Sequence, residues 1–275
     1  MNRVMTICAH VFLCFFILMM LLPLYLAVVA ASHEGSLLMH TRLPYIPGSL
    51  LFSNLNQVLG HGLAVTGGEP LFRLLANSFI MAIIIAVGKI MIALGSAFAL
   101  VYFDFRFKKI CFALIFATLM LPVEVRIIPT FQVVASFGLL NTFTGLTLPL
   151  FVSATGTFLF RQFFKTIPTE LVDAAKLDGA GAVRFFIDIL LPLSKTPIAS
   201  LFVILFVYGW NQYLWPLVVT TESKMGTVVM GIHYLAGVAD QIPQWHFVMC
   251  IALIALIPPC VMVLFMQRWF ERGLN

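Results

Sequence analysis

Six stretches of this chain, near residues 5–31, 74–103, 110–129, 142–163, 197–220 and 246–267, are built mostly from Leu, Ile, Val, Phe, Met and Ala and carry few charges. Crossing the hydrocarbon core of a bilayer takes about 20 predominantly apolar residues in a helix. A transmembrane β-strand needs only about ten residues and alternates in polarity. These runs are far longer and do not alternate. The expected fold is therefore all-α: an integral membrane protein of about six transmembrane helices, with residues 1–275 forming a single membrane domain.

The composition agrees. The chain is 61% hydrophobic and only 10% charged, with mean hydropathy +1.05, against roughly 25% charged residues in soluble domains. Its surface must therefore face lipid. The net charge of +5 does not point to nucleic acid, because the basic residues form no continuous patch. Their distribution follows the positive-inside rule. With the N-terminus inside, eleven of the sixteen Lys and Arg residues fall on the cytoplasmic side, Arg42, Arg73, Arg126 and Lys224 fall outside, and Lys89 lies within a span. Both termini are expected to be cytoplasmic. Val29-Ala30-Ala31 resembles a signal-peptidase site, but the preceding apolar run far exceeds the roughly 7–15 residues of a signal h-region, which favours a retained span. The five cysteines all fall in or at the ends of apolar runs and read as small buried hydrophobes.

The longest segment outside the spans, residues 32–72, is expected to be an extracytoplasmic loop rich in turn formers such as Pro47-Gly48 and Gly67-Gly68. Its histidines, His33, His40 and His61, lack metal-ligand spacing and read as ordinary loop residues. The other notable polar segment is residues 166–195, TIPTELVDAAKLDGAGAVRFFIDILLPLSK, which should form a cytoplasmic loop between spans four and five. Thr166 is placed to cap a helix and Pro168 to sit in its first turn. Glu170 and Asp173 complement the helix dipole. Gly179 supplies a left-handed stop. A second helix from about Gly181 to Leu190 carries Phe185 and Phe186, pairs Arg184 with Asp188 at i,i+4, and should end at Pro192. Small Ala174 and Ala175 let another surface approach closely. The physics of this segment fits either a docking bracket or an amphipathic hairpin lying on the inner leaflet.

The pattern Asp173-Ala174-Ala175, Asp178-Gly179-Ala180, Ile189 and Leu191-Pro192-Leu193 resembles the EAA loop of ABC importer permeases, with Asp173 where the motif usually has Glu. Other stretches, among them Asn77-Ser78-Phe79, Phe160–Phe164 and Trp210–Pro216, resemble the carbohydrate-uptake (maltose-type) branch. Residues 119–133, 153–164 and 208–217 are similar to the second permease subunits of sn-glycerol-3-phosphate importers. The core resemblance spans 72–270. It implies a loop that fits a cleft on an ATPase, with Glu170, Asp173, Ala174, Ala175, Asp178, Gly179, Leu191 and Pro192 at the contact. It implies as partners a homologous second permease, two ATPase subunits and an extracytoplasmic solute-binding protein, alongside membrane lipid and no nucleic acid. It places the chain in the bacterial inner membrane and suggests alternating access for glycerol-3-phosphate, a related phosphodiester, or a sugar. The chain has no G-x-x-x-x-G-K-[ST] loop, so ATP would be used by a partner, no cofactor is expected, and the chain is not expected to be an enzyme.

Polar groups inside spans are expensive and often functional. Lys89, mid-span, suits an anionic substrate, a carboxylate of a partner permease, or a structural role. Glu124 and Arg126, two residues apart on a helix, point away from each other and suit a gate or ordinary interfacial charge. Trp210, Asn211, Gln212 and Tyr213 interrupt an apolar helix; their donors and rings suit a hydroxylated ligand or helix–helix hydrogen bonding. An ion-coupled carrier using Lys89 and Glu124, a membrane-embedded enzyme and a non-transporting scaffold are the rival classes. The enzyme lacks support from H-E-x-x-H, G-x-S-x-G or any intramembrane Asp pair.

Overall fold

In a computed structural model of the chain, the backbone is described for residues 3–40, 44–60, 68–118, 123–237 and 243–273; side chains are described for the same residues except 4, 39, 40, 123, 124 and 268–273. All regular structure among the described residues is helical. Among the described residues, three helices are long and apolar enough to cross a membrane: Met5–Ala31 within α1 (Arg3–Ala31), α4 (Leu71–Tyr102), and Trp245–Gln267 within α15 (Trp245–Gly273). Two bent pairs, Phe143–Leu150 with Ala154–Phe164 (50°) and Ala182–Leu193 with Lys195–Trp210 (73°), raise the number to five if each is one span. The expected span at 110–129 is divided between α5 (Lys108–Ala117) and α6 (Val123–Ser136); residues 119–122 between them lie outside the described residues.

The chain divides into two compact units, Met1–Ala76 with Gly226–Ile257 and Asn77–Met225 with Pro258–Asn275. In the first unit, the expected loop at 32–72 contains two helices, α2 (Gly35–His40) and α3 (Leu51–Gly60). The C-terminal end of α1 anchors them. Val29, Ala30 and Ala31 are buried, and the Asn54 amide of α3 donates to the Ala31 and His33 carbonyls at 2.9 and 3.1 Å. Ser32 Oγ donates to the Val29 carbonyl and accepts from Gly48 N–H, both at 2.7 Å. The bonds to the Val29 and Ala31 carbonyls satisfy acceptors that the end of a helix leaves without intrahelical partners. His33 Nε2 donates to the Ile46 carbonyl at 3.0 Å; His61 and the His40 side chain lie outside the described residues.

In the second unit, α4 is the centre. Its buried positions, Met81, Ala82, Ile85, Ala86, Lys89, Ile90, Ala93, Leu94 and Ala97, recur at three- and four-residue spacing and so share one stripe. The small residues in that stripe set the packing distance, as is usual between membrane helices. Against it lie α8 (Ala154–Phe164) and α12 (Lys195–Trp210). A Cβ on Gly209 would stand 2.9 Å from Ala82 Cα, and one on Gly156 would stand 3.0 Å from Ala93 Cβ, so the helices approach closely at both points, with backbone against backbone at Gly209. Before α8, α7 (Phe143–Thr147) and a 3-10 turn (Leu148–Leu150) end at an irregular elbow, 151–153. There Ser153 Oγ accepts from Gly156 N–H at 3.1 Å and starts a new helix instead of continuing the old one. The expected span at 197–220 is also interrupted: α12 ends at Trp210, and α13 (Leu214–Val219) starts after Asn211-Gln212-Tyr213. Asn141, at φ 56°, ties the corner before α7 to the chain after α13 by accepting from Thr221 N–H at 2.7 Å and Glu222 N–H at 3.1 Å.

Candidate functional site

The polar insert folds as a tight helical hairpin. Its first arm is α9 (Thr169–Leu177), with Pro168 at the N-cap, Glu170 in the first turn and Lys176 in the last, the charge order that the helix dipole favours. Thr166 does not cap this helix, although the sequence suggested that it would. Its hydroxyl donates to the Phe163 carbonyl at 2.7 Å and so finishes the preceding helix. At the corner Gly179 adopts φ 72°, Ala180 N–H donates to the Ala175 carbonyl at 2.9 Å, and Gly179 N–H donates to the Lys176 carbonyl at 3.0 Å. This pair of bonds is the Schellman closure, which needs a left-handed residue at Gly179. No atom lies within 4 Å of where a Gly179 side chain would begin.

The second arm differs from the expected single helix ending at Pro192. A short α10 (Ala182–Phe185) passes into a π-turn (Phe186–Leu190), then α11 (Leu191–Leu193), and the path bends at Ser194 into α12. Pro192 sits at the start of α11, where a missing N–H is tolerated, so the chain stays helical through it. Ser194 Oγ donates to the Leu190 carbonyl at 2.6 Å. The hairpin is thus continuous with the root of a membrane helix. Leu191 and Pro192 do not join the hairpin tip; they line a separate apolar groove of about 580 Å³ with Lys195, Ile198, Phe202 and Met266.

The two faces of the hairpin have different environments. Inward, Ala175 and Phe185 are buried against an aromatic cluster. The Phe185 ring lies 5.2 Å from Tyr102 and 6.5 Å from Phe98, and Phe186 lies 5.0 Å from Phe98. Tyr102 also donates to the Phe164 carbonyl at 3.2 Å. Outward, Glu170, Asp173, Ala174 and Asp178 are exposed. Lys176 meets Asp173 at 3.3 Å and Arg184 meets Asp188 at 3.3 Å, both pairs exposed. Leu177 is 89% exposed and Val183 72% exposed. The sequence reading missed these two residues. Their signal was an apolar side chain on either side of the Gly179 corner, outside the Val172–Ala175 stripe that packs inward.

The intramembrane candidates fall in different surroundings. Lys89 is only 7% exposed; its Nζ donates to the Val152 carbonyl at 3.1 Å and lies 4.6 Å from the centre of the Tyr208 ring. Gln212 Nε2 donates to the Tyr208 carbonyl at 3.2 Å, which links the Trp210–Tyr213 segment to the Lys89 site through Tyr208, a residue the sequence reading did not single out. Trp210 is buried and stacks on Phe206 at 6.0 Å. Asn211 is exposed at the end of α12, and Tyr213 is half-buried before α13. Arg126 is exposed on α6. The Glu124 side chain lies outside the described residues.

An all-helical, multi-span subunit with a rigid surface hairpin rooted in its helices fits a membrane component of a transport machine. Residues 90–275 match the family described as binding-protein-dependent transport system inner membrane component, and the chain belongs to that family. It is a multi-pass inner-membrane protein and a permease subunit of an ABC-type importer. Among its relatives is the sn-glycerol-3-phosphate transport system permease protein UgpE of Yersinia pestis bv. Antiqua (strain Antiqua), 52% identical over 273 residues, 99% of this chain and 97% of that protein. The protein of the same name from Rhizobium meliloti (strain 1021) is 51% identical over 265 residues, covering 96% and 94%. A solved chain from a bacterial ABC transporter involved in the import of the acidic polysaccharide alginate superposes with TM-score 0.81 at 21% identity, covering 98% of this chain and 97% of that one; that likeness concerns the fold.

Proposed function

We propose that this subunit carries sn-glycerol-3-phosphate, or glycerophosphodiesters related to it, into the cell by alternating access, driven by a separate ATPase that engages the 169–193 hairpin. The observation that carries the substrate is the 52% identity over 99% of the chain to a permease of that named system. The hairpin geometry supports the coupling role. A left-handed corner, an aromatic inner face and a continuous path into α12 make the bracket stiff, and exposed Leu177 and Val183 offer apolar knobs to a partner groove. The charge distribution supports a cytoplasmic position for this hairpin and for both termini. In this reading a homologous permease completes the pathway, two ATPase subunits hydrolyse ATP, a solute-binding protein delivers substrate from outside, and the chain itself catalyses no reaction and holds no cofactor.

The test is uptake into proteoliposomes holding the whole assembly. Labelled sn-glycerol-3-phosphate should accumulate only when ATP, ATPase and binding protein are all present. Accumulation without the ATPase, or uptake of a neutral disaccharide with none of the phosphate ester, would overturn the assignment.

A further inference from the structure

Lys89 is the buried cation whose surroundings the import reading leaves unexplained. An ammonium has three N–H donors and no acceptor. Here one donor is spent on the Val152 carbonyl, and the Tyr208 ring covers another side. No described carboxylate lies within ion-pair distance of it. The segments that surround it, α4, α8 and α12, contain no Asp or Glu at all. A cation–π contact offsets only about 0.5–2 kcal/mol, whereas burying an unpaired charge costs several. Among the described residues, then, no anion balances this ammonium.

Its position says where an anion would arrive. The Val152 carbonyl belongs to the elbow at 151–153, where the span breaks. Irregular backbone at membrane depth is tolerated where it is buried in protein or lines a cavity, and transporters place substrate sites at such broken helices. Val152 is 63% exposed, so the residue whose carbonyl holds the ammonium lies at the surface of the subunit.

We infer that Lys89, poised between the Val152 carbonyl and the Tyr208 ring, is a specificity-determining residue that receives the phosphate monoester of the substrate during passage. A phosphate oxygen replaces the Val152 carbonyl as acceptor, and the exchange of a neutral for a charged acceptor strengthens the bond. Tyr208 rides on α12, the helix rooted in the hairpin, so movement of the hairpin shifts the ring that covers the ammonium and changes its hold on the anion. This inference rests on the glycerol-3-phosphate reading and names the group that would select the dianionic headgroup.

The experiment compares uptake of sn-glycerol-3-phosphate with uptake of its glycerol phosphodiester, which carries one negative charge, in the reconstituted full assembly. Lys89→Met should lower monoester uptake about tenfold or more, the loss of a charge-assisted bond, and lower diester uptake by less than about threefold, with Lys89→Arg restoring most of the monoester rate. Equal losses for both substrates, or no loss, would overturn the inference, as would failure of both variants to assemble, which would make Lys89 a structural pin on the elbow. If only Lys89→Met fails to assemble, Tyr208→Leu replaces it: a selective loss for the monoester supports the inference and an equal loss overturns it. If Glu124→Gln reproduces Lys89→Met and the double variant is no worse than either, Glu124 is the missing anion and the inference falls. Wild-type assembly that imports neither ester refutes the substrate reading itself, an outcome distinct from all of these.

Discussion

The inner and outer faces of the hairpin are stabilised in different ways. The inner face packs within the chain: Phe185, Phe186, Phe98 and Tyr102 contact one another around a cavity of about 200 Å³, and Ala175 is buried beside them. The outer face is left open. Its ion pairs, Asp173 with Lys176 and Arg184 with Asp188, are solvent-exposed and each contributes about 0–1 kcal/mol. Leu177 and Val183 gain nothing from where they point. If the hairpin is the coupling element, its uncovered apolar side chains are what a partner would cover, and the packed reverse side is what would let the open side transmit a push.

Substitutions should separate the two faces. The largest effect is expected from Phe185→Ala. Deleting a buried Phe typically costs about 3–5 kcal/mol, enough to release the hairpin from the end of α4. Hydrogen exchange across 169–193 should rise sharply and ATP-driven uptake should be lost, while insertion of the chain into the membrane persists. Normal uptake with a loosened hairpin would show that stiffness is not what the inner face provides. Gly179 gives the next and sharpest contrast. Any L-residue at φ 72° bears a backbone strain of about 1–2 kcal/mol, but the open space around it makes that cost nearly independent of side-chain size. Gly179→Ala and Gly179→Trp should therefore destabilise the isolated subunit equally, as read by thermal melting in detergent. Only Gly179→Trp should abolish ATPase-coupled uptake, because only its side chain fills the space where a partner sits. Equal uptake by the two variants would remove the corner from the docking surface.

Local chemistry made part of this legible in the sequence. The ends of α4 and α15 lie within a few residues of the apolar runs at 74–103 and 246–267, because length and hydropathy suffice to define a continuous span. The left-handed Gly179 and the Arg184–Asp188 pair follow from spacings of one to four residues. What was not legible depends on contacts distant in sequence or on competition between local signals. Tyr208 over Lys89 joins two helices, and the Lys89–Val152 bond spans 63 residues. Thr166 had two helices to serve and closed the earlier one. Pro192 was read as a stop, but the π-turn before it widens the helix and lets the chain continue. The break at Ser153 was hidden within an apolar run whose hydropathy gives no sign of an elbow.

Two smaller effects would refine the account of the outer face. Leu177→Asp should leave the fold intact, since the side chain touches almost nothing in the chain, but should weaken ATPase binding. Burying a Leu is worth about 1.5–3 kcal/mol, so the expected loss is about 10–150-fold in affinity, measured by titrating the ATPase onto the permease in nanodiscs. Unchanged affinity would place the partner elsewhere on the hairpin.

Asp173 should show the smallest effect. It stands where the resembling motif usually carries Glu, one methylene longer, and it is exposed and paired only with Lys176 at 3.3 Å. If the carboxylate serves the partner mainly by its charge, Asp173→Glu should be neutral. Asp173→Asn should cut coupled uptake by less than about fivefold, the range set by an exposed ion pair of up to about 1 kcal/mol, and the deficit should shrink as salt screens the charge. A larger loss that is insensitive to salt would mean that Asp173 makes a desolvated contact in the assembled transporter. The outer face would then divide into an apolar anchor at Leu177 and a buried polar one a turn away.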